Sequence, residues 1–147
     1  MKQVSRSALV SFSAQQMFDL VNDVASYPEF LPGCSGSKVI ESSLSAMVAS
    51  VDVSKAGISK TFTTSNQLVP GEAILMSLVD GPFKTLKGGW FFTALDEKAC
   101  KVELKLEFEF SSKMVELAFG KIFSELTNNM VNAFTQRAKQ VYSCYEY

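Results

Sequence analysis

At 147 residues, with a formal net charge of −1 and no histidine, the chain has room for one domain with a sizeable core. It lacks the commonest general base and metal ligand, so Ser-His-Asp, Cys-His and histidine-metal chemistries are excluded. Near-neutrality gives no global attraction to nucleic acid, and any such contact requires a local patch.

Although 47% of the residues are hydrophobic, no apolar run approaches the roughly 18 residues of a membrane helix. The opening Met1-Lys2-Gln3-Val4-Ser5-Arg6 has no apolar signal-peptide core, so a cytoplasmic location and no integral membrane segment are expected. Cys34, Cys100 and Cys144 are odd in number and far apart. They read as small buried or surface residues and neither as a disulfide framework nor as a CxxC site.

Residues 3–12 predict a strand with Val4, Ala8, Val10 and Phe12 on one face. Ser13-Ala14-Gln15-Gln16 then matches a capping box, with Phe12 and Met17 at the spacing of a hydrophobic staple. Ser26-Tyr27-Pro28-Glu29 matches a second box with Pro28 in its first turn, and Pro32-Gly33 stops that helix near Leu31. Strands are expected at about 36–43, 46–54, 58–68, 73–79, 86–95 and 99–111, separated by turn signals at Ser42–Ser45, Ala56-Gly57, Pro70-Gly71, Asp80-Gly81-Pro82 and Asp96-Glu97.

Lys101–Phe110 alternates charge and bulk without a miss, the period of a strand with one wet and one buried face. Ser111 and Ser112 are N-cap candidates, after which Val115, Phe119, Ile122, Leu126, Met130, Phe134, Ala138 and Val141 recur at helical spacing. At about 1.5 Å per residue, that ~30-residue helix reaches roughly 45 Å, against about 33 Å for a ten-residue strand. It is long enough to lie across a whole sheet. The pattern is α+β in one domain, 1–147: a curved seven-stranded antiparallel sheet around a long C-terminal helix, with two short helices after strand 1.

Three stretches carry a resemblance: Tyr27-Pro28-Glu29-Phe30-Leu31-Pro32-Gly33-Cys34, Asp52-Val53-Ser54-Lys55-Ala56-Gly57-Ile58, and Asp80-Gly81-Pro82-Phe83 leading to Gly88-Gly89-Trp90. On these the chain resembles, nearly end to end, the START-like coenzyme-Q-binding and polyketide-cyclase family, within the SRPBCC superfamily. The resemblance implies a helix-grip (START/Bet v 1-like) fold. For the ribosome-associating bacterial branch it implies binding to the large (50S) subunit and a block on 70S formation, as the toxin of a type II toxin–antitoxin pair with a small ubiquitin-like antitoxin. The alternative it implies is a carrier of ubiquinone or another hydrophobic isoprenoid lipid linked to respiration. Gly33 stands where the quinone-binding branch carries tryptophan after Phe-Leu-Pro.

Two groups of residues are candidates for function. A bent sheet cannot close evenly on a helix, so a cavity of a few hundred cubic ångströms is expected between them. Its candidate lining is Phe30, Phe62, Met76, Phe83, Trp90, Phe108, Phe119, Ile122, Phe123, Leu126 and Met130, which otherwise simply fill the core. Thr64 and Asn66 share the inward face of their strand and need polar partners there. No cofactor is required; a bound ubiquinone or other hydrophobic ligand fits the space.

The second group is basic. In an antiparallel meander, loops two strands apart fall at one end. That brings Lys55, Gly57, Lys60 and Lys84 together, with Lys87 nearby, as a ribosome-facing patch. No carboxylate pair, phosphate loop, nucleophile elbow or metal set is visible, so no catalytic or metal-binding residue is assigned. Gly120 inside the helix permits a kink or a close approach near the cavity mouth, and Asn129 has the option of pointing inward.

Overall fold

The computed structural model describes residues 2–55 and 57–142. Strand β1 (Lys2–Val10) leads into α1 (Ala14–Asn22) and a 3-10 helix (Val24–Glu29). Six strands follow: β2 (Cys34–Ser42), β3 (Ala46–Lys55), β4 (Ile58–Val69), β5 (Ala73–Asp80), β6 (Phe83–Asp96) and β7 (Ala99–Phe110). The described chain ends in α2 (Lys113–Tyr142). The strands form one seven-stranded sheet in the order β1-β7-β6-β5-β4-β3-β2, antiparallel at every joint. It remains open, with β1 and β2 as its edges.

The alternation of β7 is realised as read: Val102, Leu104, Leu106, Phe108 and Phe110 are buried. They face α2, which packs against β1, β7, β3, β4 and α1. The sheet coils tightly at Gly88 and Gly89. A Cβ on Gly88, whose φ is +143°, would stand 2.0 Å from the Lys105 carbonyl oxygen, and one on Gly89 would stand 2.4 Å from that of Ile74. Only glycine lets β5, β6 and β7 approach that closely.

The Ser13 capping box forms in full: the Gln16 N–H donates to Ser13 Oγ at 3.0 Å, and the Ser13 N–H to Gln16 Oε1 at 2.9 Å. The second box does not form. That helix is 3-10 and starts at Val24, and Ser26 Oγ donates to Asp23 Oδ2 at 2.6 Å and caps nothing. Pro28, lying inside it, offers no N–H to an α-helical ladder. Strand β6 starts at Phe83, three residues before the expected 86, across a bulge between Phe83 and Thr85.

Ser112 starts α2, its Oγ accepting from the Val115 N–H at 3.2 Å. The helix runs unbroken, and its buried stripe passes through Phe119, Phe123, Leu126, Thr127, Val131 and Phe134. Ile122 and Met130 are only partly buried. Gly120 makes neither a kink nor a close approach, since an added Cβ would meet Glu116 Cγ at 3.5 Å and Phe110 Cε2 at 3.6 Å, ordinary contact distances. Asn129 is exposed and donates from Nδ2 to the Glu125 carbonyl. Cys34 and Cys100 are buried free thiols; Cys144 lies outside the described residues.

The meander puts the β3–β4 and β5–β6 turns, the start of β2 and the start of α2 at one pole. The register Cys34↔Val53 and Phe83↔Phe110 fixes this, and the Ser111 N–H donates to the Pro82 carbonyl at 3.0 Å. Gly57 supplies the positive φ (+81°) of the first turn; its neighbour Ala56 lies outside the described residues.

Candidate functional site

Between the sheet and α2 lies a cavity of about 60 Å³. Six of the expected residues line it: Phe62, Met76, Trp90, Phe123, Leu126 and Met130. So do Val24, Tyr27, Ala49, Val51, Leu86, Leu104 and Leu106. The expectation of a few hundred cubic ångströms is corrected. At roughly 30 Å³ per water the space holds about two waters, well below the roughly 300 Å³ at which small-molecule pockets begin. The aromatic side chains pack more deeply than composition alone reveals.

One wall is polar. Thr64 and Asn66 on β4 and Thr127 on α2 are 7%, 6% and 1% exposed, and all three line the cavity. Thr64 Oγ1 donates to Asn66 Oδ1 at 2.8 Å. Thr127 Oγ1 donates back to the Phe123 carbonyl at 3.1 Å and the Ser124 carbonyl at 3.2 Å. Tyr27 gives its hydroxyl proton to the Val21 carbonyl. Burial, reinforced by Cys34 and Asp23, pushes that phenol far above its ordinary range. The cavity is therefore an apolar space with an amide and hydroxyl edge on one side.

The other expected lining residues lie elsewhere. Phe83, Phe108 and Phe119 join Phe62, Phe110 and Phe123 in an aromatic plug near the turn pole: Phe83 and Phe110 stack at 5.3 Å, and Phe83 and Phe108 each approach Phe123 at 4.9 Å. Phe30 packs edge-on against Phe134 at 5.2 Å, under the Arg137 guanidinium at 5.0 Å. Arg137 also reaches Glu29 at 3.4 Å, tying α2 to the 3-10 helix. Ile122 lines a surface cleft of about 270 Å³ with Pro32, Gly33, Ser54, Lys55, Glu125, Leu126 and Asn129. Leu126 is the wall shared by cleft and cavity.

Lys55, Gly57, Lys60 and Lys84 sit at or beside the turns of one pole. Lys55 is paired with Glu125, whose carboxyl is held below its usual range by that hydrogen bond and charge. Lys60 lies on β4 between Ile58 and Phe62, and Lys84 is exposed just past the β5–β6 turn. Neither takes part in an ion pair among the described residues. Lys87 does not belong to this pole. It faces outward from the middle of β6 and pairs with Glu107 of β7 at 3.7 Å. The same pole carries Lys2, Lys113 and Lys121 and two bare apolar side chains, Met114 and Leu117, which sequence reasoning had passed over.

Among the described residues no group of three His, Cys, Asp or Glu side chains is placed to hold a metal ion, and no helix is long and apolar enough to cross a membrane.

An open coiled sheet gripping a C-terminal helix over a small internal cavity defines the START-type helix-grip class. The chain belongs to the polyketide cyclase / dehydrase and lipid transport family, which it matches over residues 10–135. It is 85% identical over 142 residues to the ribosome association toxin RatA of Vibrio cholerae serotype O1, an alignment covering 97% of this chain and 99% of that one. A more distant relative is the mitochondrial coenzyme Q-binding protein COQ10 homolog B of Xenopus laevis, 28% identical over 144 residues, covering 95% of this chain and 59% of that protein. Among solved structures, the Zhui aromatase/cyclase of Streptomyces sp. R1128 superposes with a TM-score of 0.86 at 17% identity, over 99% of each chain. That likeness concerns the fold alone. The high-identity relative is named as a toxin and the fold neighbour as an enzyme.

Proposed function

We propose that this chain associates in the cytoplasm with the large ribosomal subunit and hinders joining with the small one, as the toxin of a toxin–antitoxin pair. The observation that carries this reading is 85% identity, across 97% of the chain, to a protein named for ribosome association. The geometry supports it. Lys60 and Lys84 stand free at a pole of exposed turns, where phosphate neutralisation supplies most of the affinity for RNA. Lys55, at the same pole, is held by Glu125 and adds a phosphate contact only when released from that carboxylate, and Gly57 and Pro82 shape the turns. A small ubiquitin-like antitoxin is the partner expected to relieve the block. Sucrose-gradient sedimentation of lysate tests the reading: wild type co-migrates with large subunits and depletes 70S particles, and Lys60→Glu/Lys84→Glu does neither. Absence of wild-type co-migration overturns the function; unchanged co-migration of the double variant overturns the residue assignment.

A second reading is carriage of a hydrophobic molecule such as ubiquinone, favoured by the Thr64–Asn66–Thr127 edge facing an otherwise apolar cavity. Occupancy requires the space to grow, and Met76 and Met130 are walls with the rotamer freedom to yield. Solvent extraction of the purified protein tests this: a stoichiometric quinone or isoprenoid supports it, and an extract without one counts against it.

A further inference from the structure

The first turn of α2 leaves a structural question open. Met114 and Leu117 are 80% and 83% exposed, three residues apart and therefore neighbours on one helical face. Phe119 turns inward and is fully buried. Neither exposed side chain lines the cavity, and the aromatic plug behind this turn is complete without them. Lys113 and Lys121 flank the pair along the helix, with no ion pair among the described residues. Glu116, on the same turn, is already matched by Lys2 at 3.7 Å. Ser111 ties this turn to Pro82, placing it beside the tip that carries Lys84.

Three kinds of surface could cover such a patch. A phosphate lattice would use the two lysines and leave Met114 and Leu117 in water. A bilayer favours helices with a long apolar face, whereas here the positions that continue the Met114–Leu117 face, Lys121, Ser124 and Glu125, are polar. A protein pocket takes two clustered aliphatic anchors well, and carboxylates at its edge match the lysines.

We infer that Met114 and Leu117 anchor the docking face, inserting into an apolar pocket edged by carboxylates on a protein component of the large ribosomal subunit, with Lys113 and Lys121 set against that edge. This rests on the ribosome reading above and extends it: the pole straddles a boundary, with Lys60 and Lys84 over RNA and the α2 turn over protein.

The experiment is equilibrium binding of the purified chain to purified large subunits over a potassium chloride series. Both side chains are exposed, so Met114→Ser/Leu117→Ser keeps the fold, checked by an unchanged melting curve. Burial of two aliphatic side chains is worth at least tenfold each in affinity, so the double variant is expected to bind roughly 100-fold more weakly. Its salt dependence is expected to stay that of wild type, because no charge is removed. Lys60→Gln/Lys84→Gln gives the opposite signature, with a shallower salt dependence. If wild type binds and the Met114/Leu117 variant binds equally well, the inference falls while the ribosome reading stands. If wild type does not bind large subunits, both fall. Protein-stripped ribosomal RNA that binds wild type as tightly as intact subunits, or phosphatidylglycerol vesicles that capture wild type while subunit binding ignores the substitutions, would each overturn the protein partner.

Discussion

Glu125→Gln should tighten ribosome binding, because it removes the carboxylate that competes with phosphate for Lys55. Lys55 and Glu125 are 58% and 41% exposed, so solvent screening leaves their pair little weight in stability. Its loss should leave the melting temperature close to that of wild type. The effect on docking is larger, because a lysine held by a carboxylate is not free to neutralise a phosphate. With Lys60 and Lys84 alone engaged, the slope of log K against log salt is about −1.4 to −1.8; releasing Lys55 steepens it to about −2.1 to −2.7. At about 0.15 M salt one such contact corresponds to a gain of roughly four- to fivefold. The assay is a salt titration of large-subunit binding for wild type, Glu125→Gln and Lys55→Gln. Lys55→Gln should leave the slope near its wild-type value. A flattened slope in Lys55→Gln together with an unaltered one in Glu125→Gln would refute the reasoning, since Lys55 would then be contacting phosphate despite its partner.

Four further outcomes follow from the packing. Gly88→Ala drives a Cβ to 2.0 Å from the Lys105 carbonyl oxygen and should cost at least about 3 kcal/mol in urea unfolding, or abolish soluble expression. Gly120→Ala should stabilise by up to about 1 kcal/mol in the same assay, because the site has room for the methyl group and alanine is the better helix former. Thr64→Val leaves Asn66 Oδ1 without its donor and should cost about 1–3 kcal/mol, while Thr64→Val/Asn66→Leu removes both partners and should cost less than the single change. The raised pKa of Tyr27 sets an alkaline limit. Below about pH 10 the phenol is neutral in both folded and unfolded chains and its contribution is intact; as pH climbs from there toward the folded value, only the unfolded chain ionises and stability is lost. Tyr27→Phe should flatten that decline in pH-dependent unfolding, leaving the smaller loss from the buried thiols Cys34 and Cys100, which are raised in the same way and begin to contribute near pH 8.5.

The elements most readable in the sequence were those whose periodicity and burial agree. The alternation of β7 and the Ser13 box each specify a local geometry that the rest of the fold accepts. The second box failed because Asp23, outside the motif, takes the Ser26 hydroxyl. Site residues were legible by face and not by depth. Strand parity correctly put Phe108 inward, but Phe83 lies before the expected strand and is turned inward by the bulge between Phe83 and Thr85. Nor does parity say that the aromatic plug fills the turn pole and leaves space farther along, near Trp90 and Asn66. Thr127 was missed although it lies four residues after Phe123, on the buried stripe of α2. A threonine can sit there because its hydroxyl folds back onto carbonyls of its own helix. Lys55–Glu125, like Arg137–Glu29, joins residues too far apart in sequence for any local pattern to announce.

Among the described residues strand β1 pairs with β7 alone, about ninety residues further on, with Lys2 opposite Phe108 and Val10 opposite Cys100. At roughly 5–20 residues per second of synthesis, the first strand waits about 5–20 s before its mate exists, and long-range pairings of this kind are slow even then. The pole that unites Lys2, Lys84 and Lys113 therefore cannot assemble until β7 and the first turn of α2 have been made. On the proposed reading, a chain of this topology gains its docking surface late in its own synthesis.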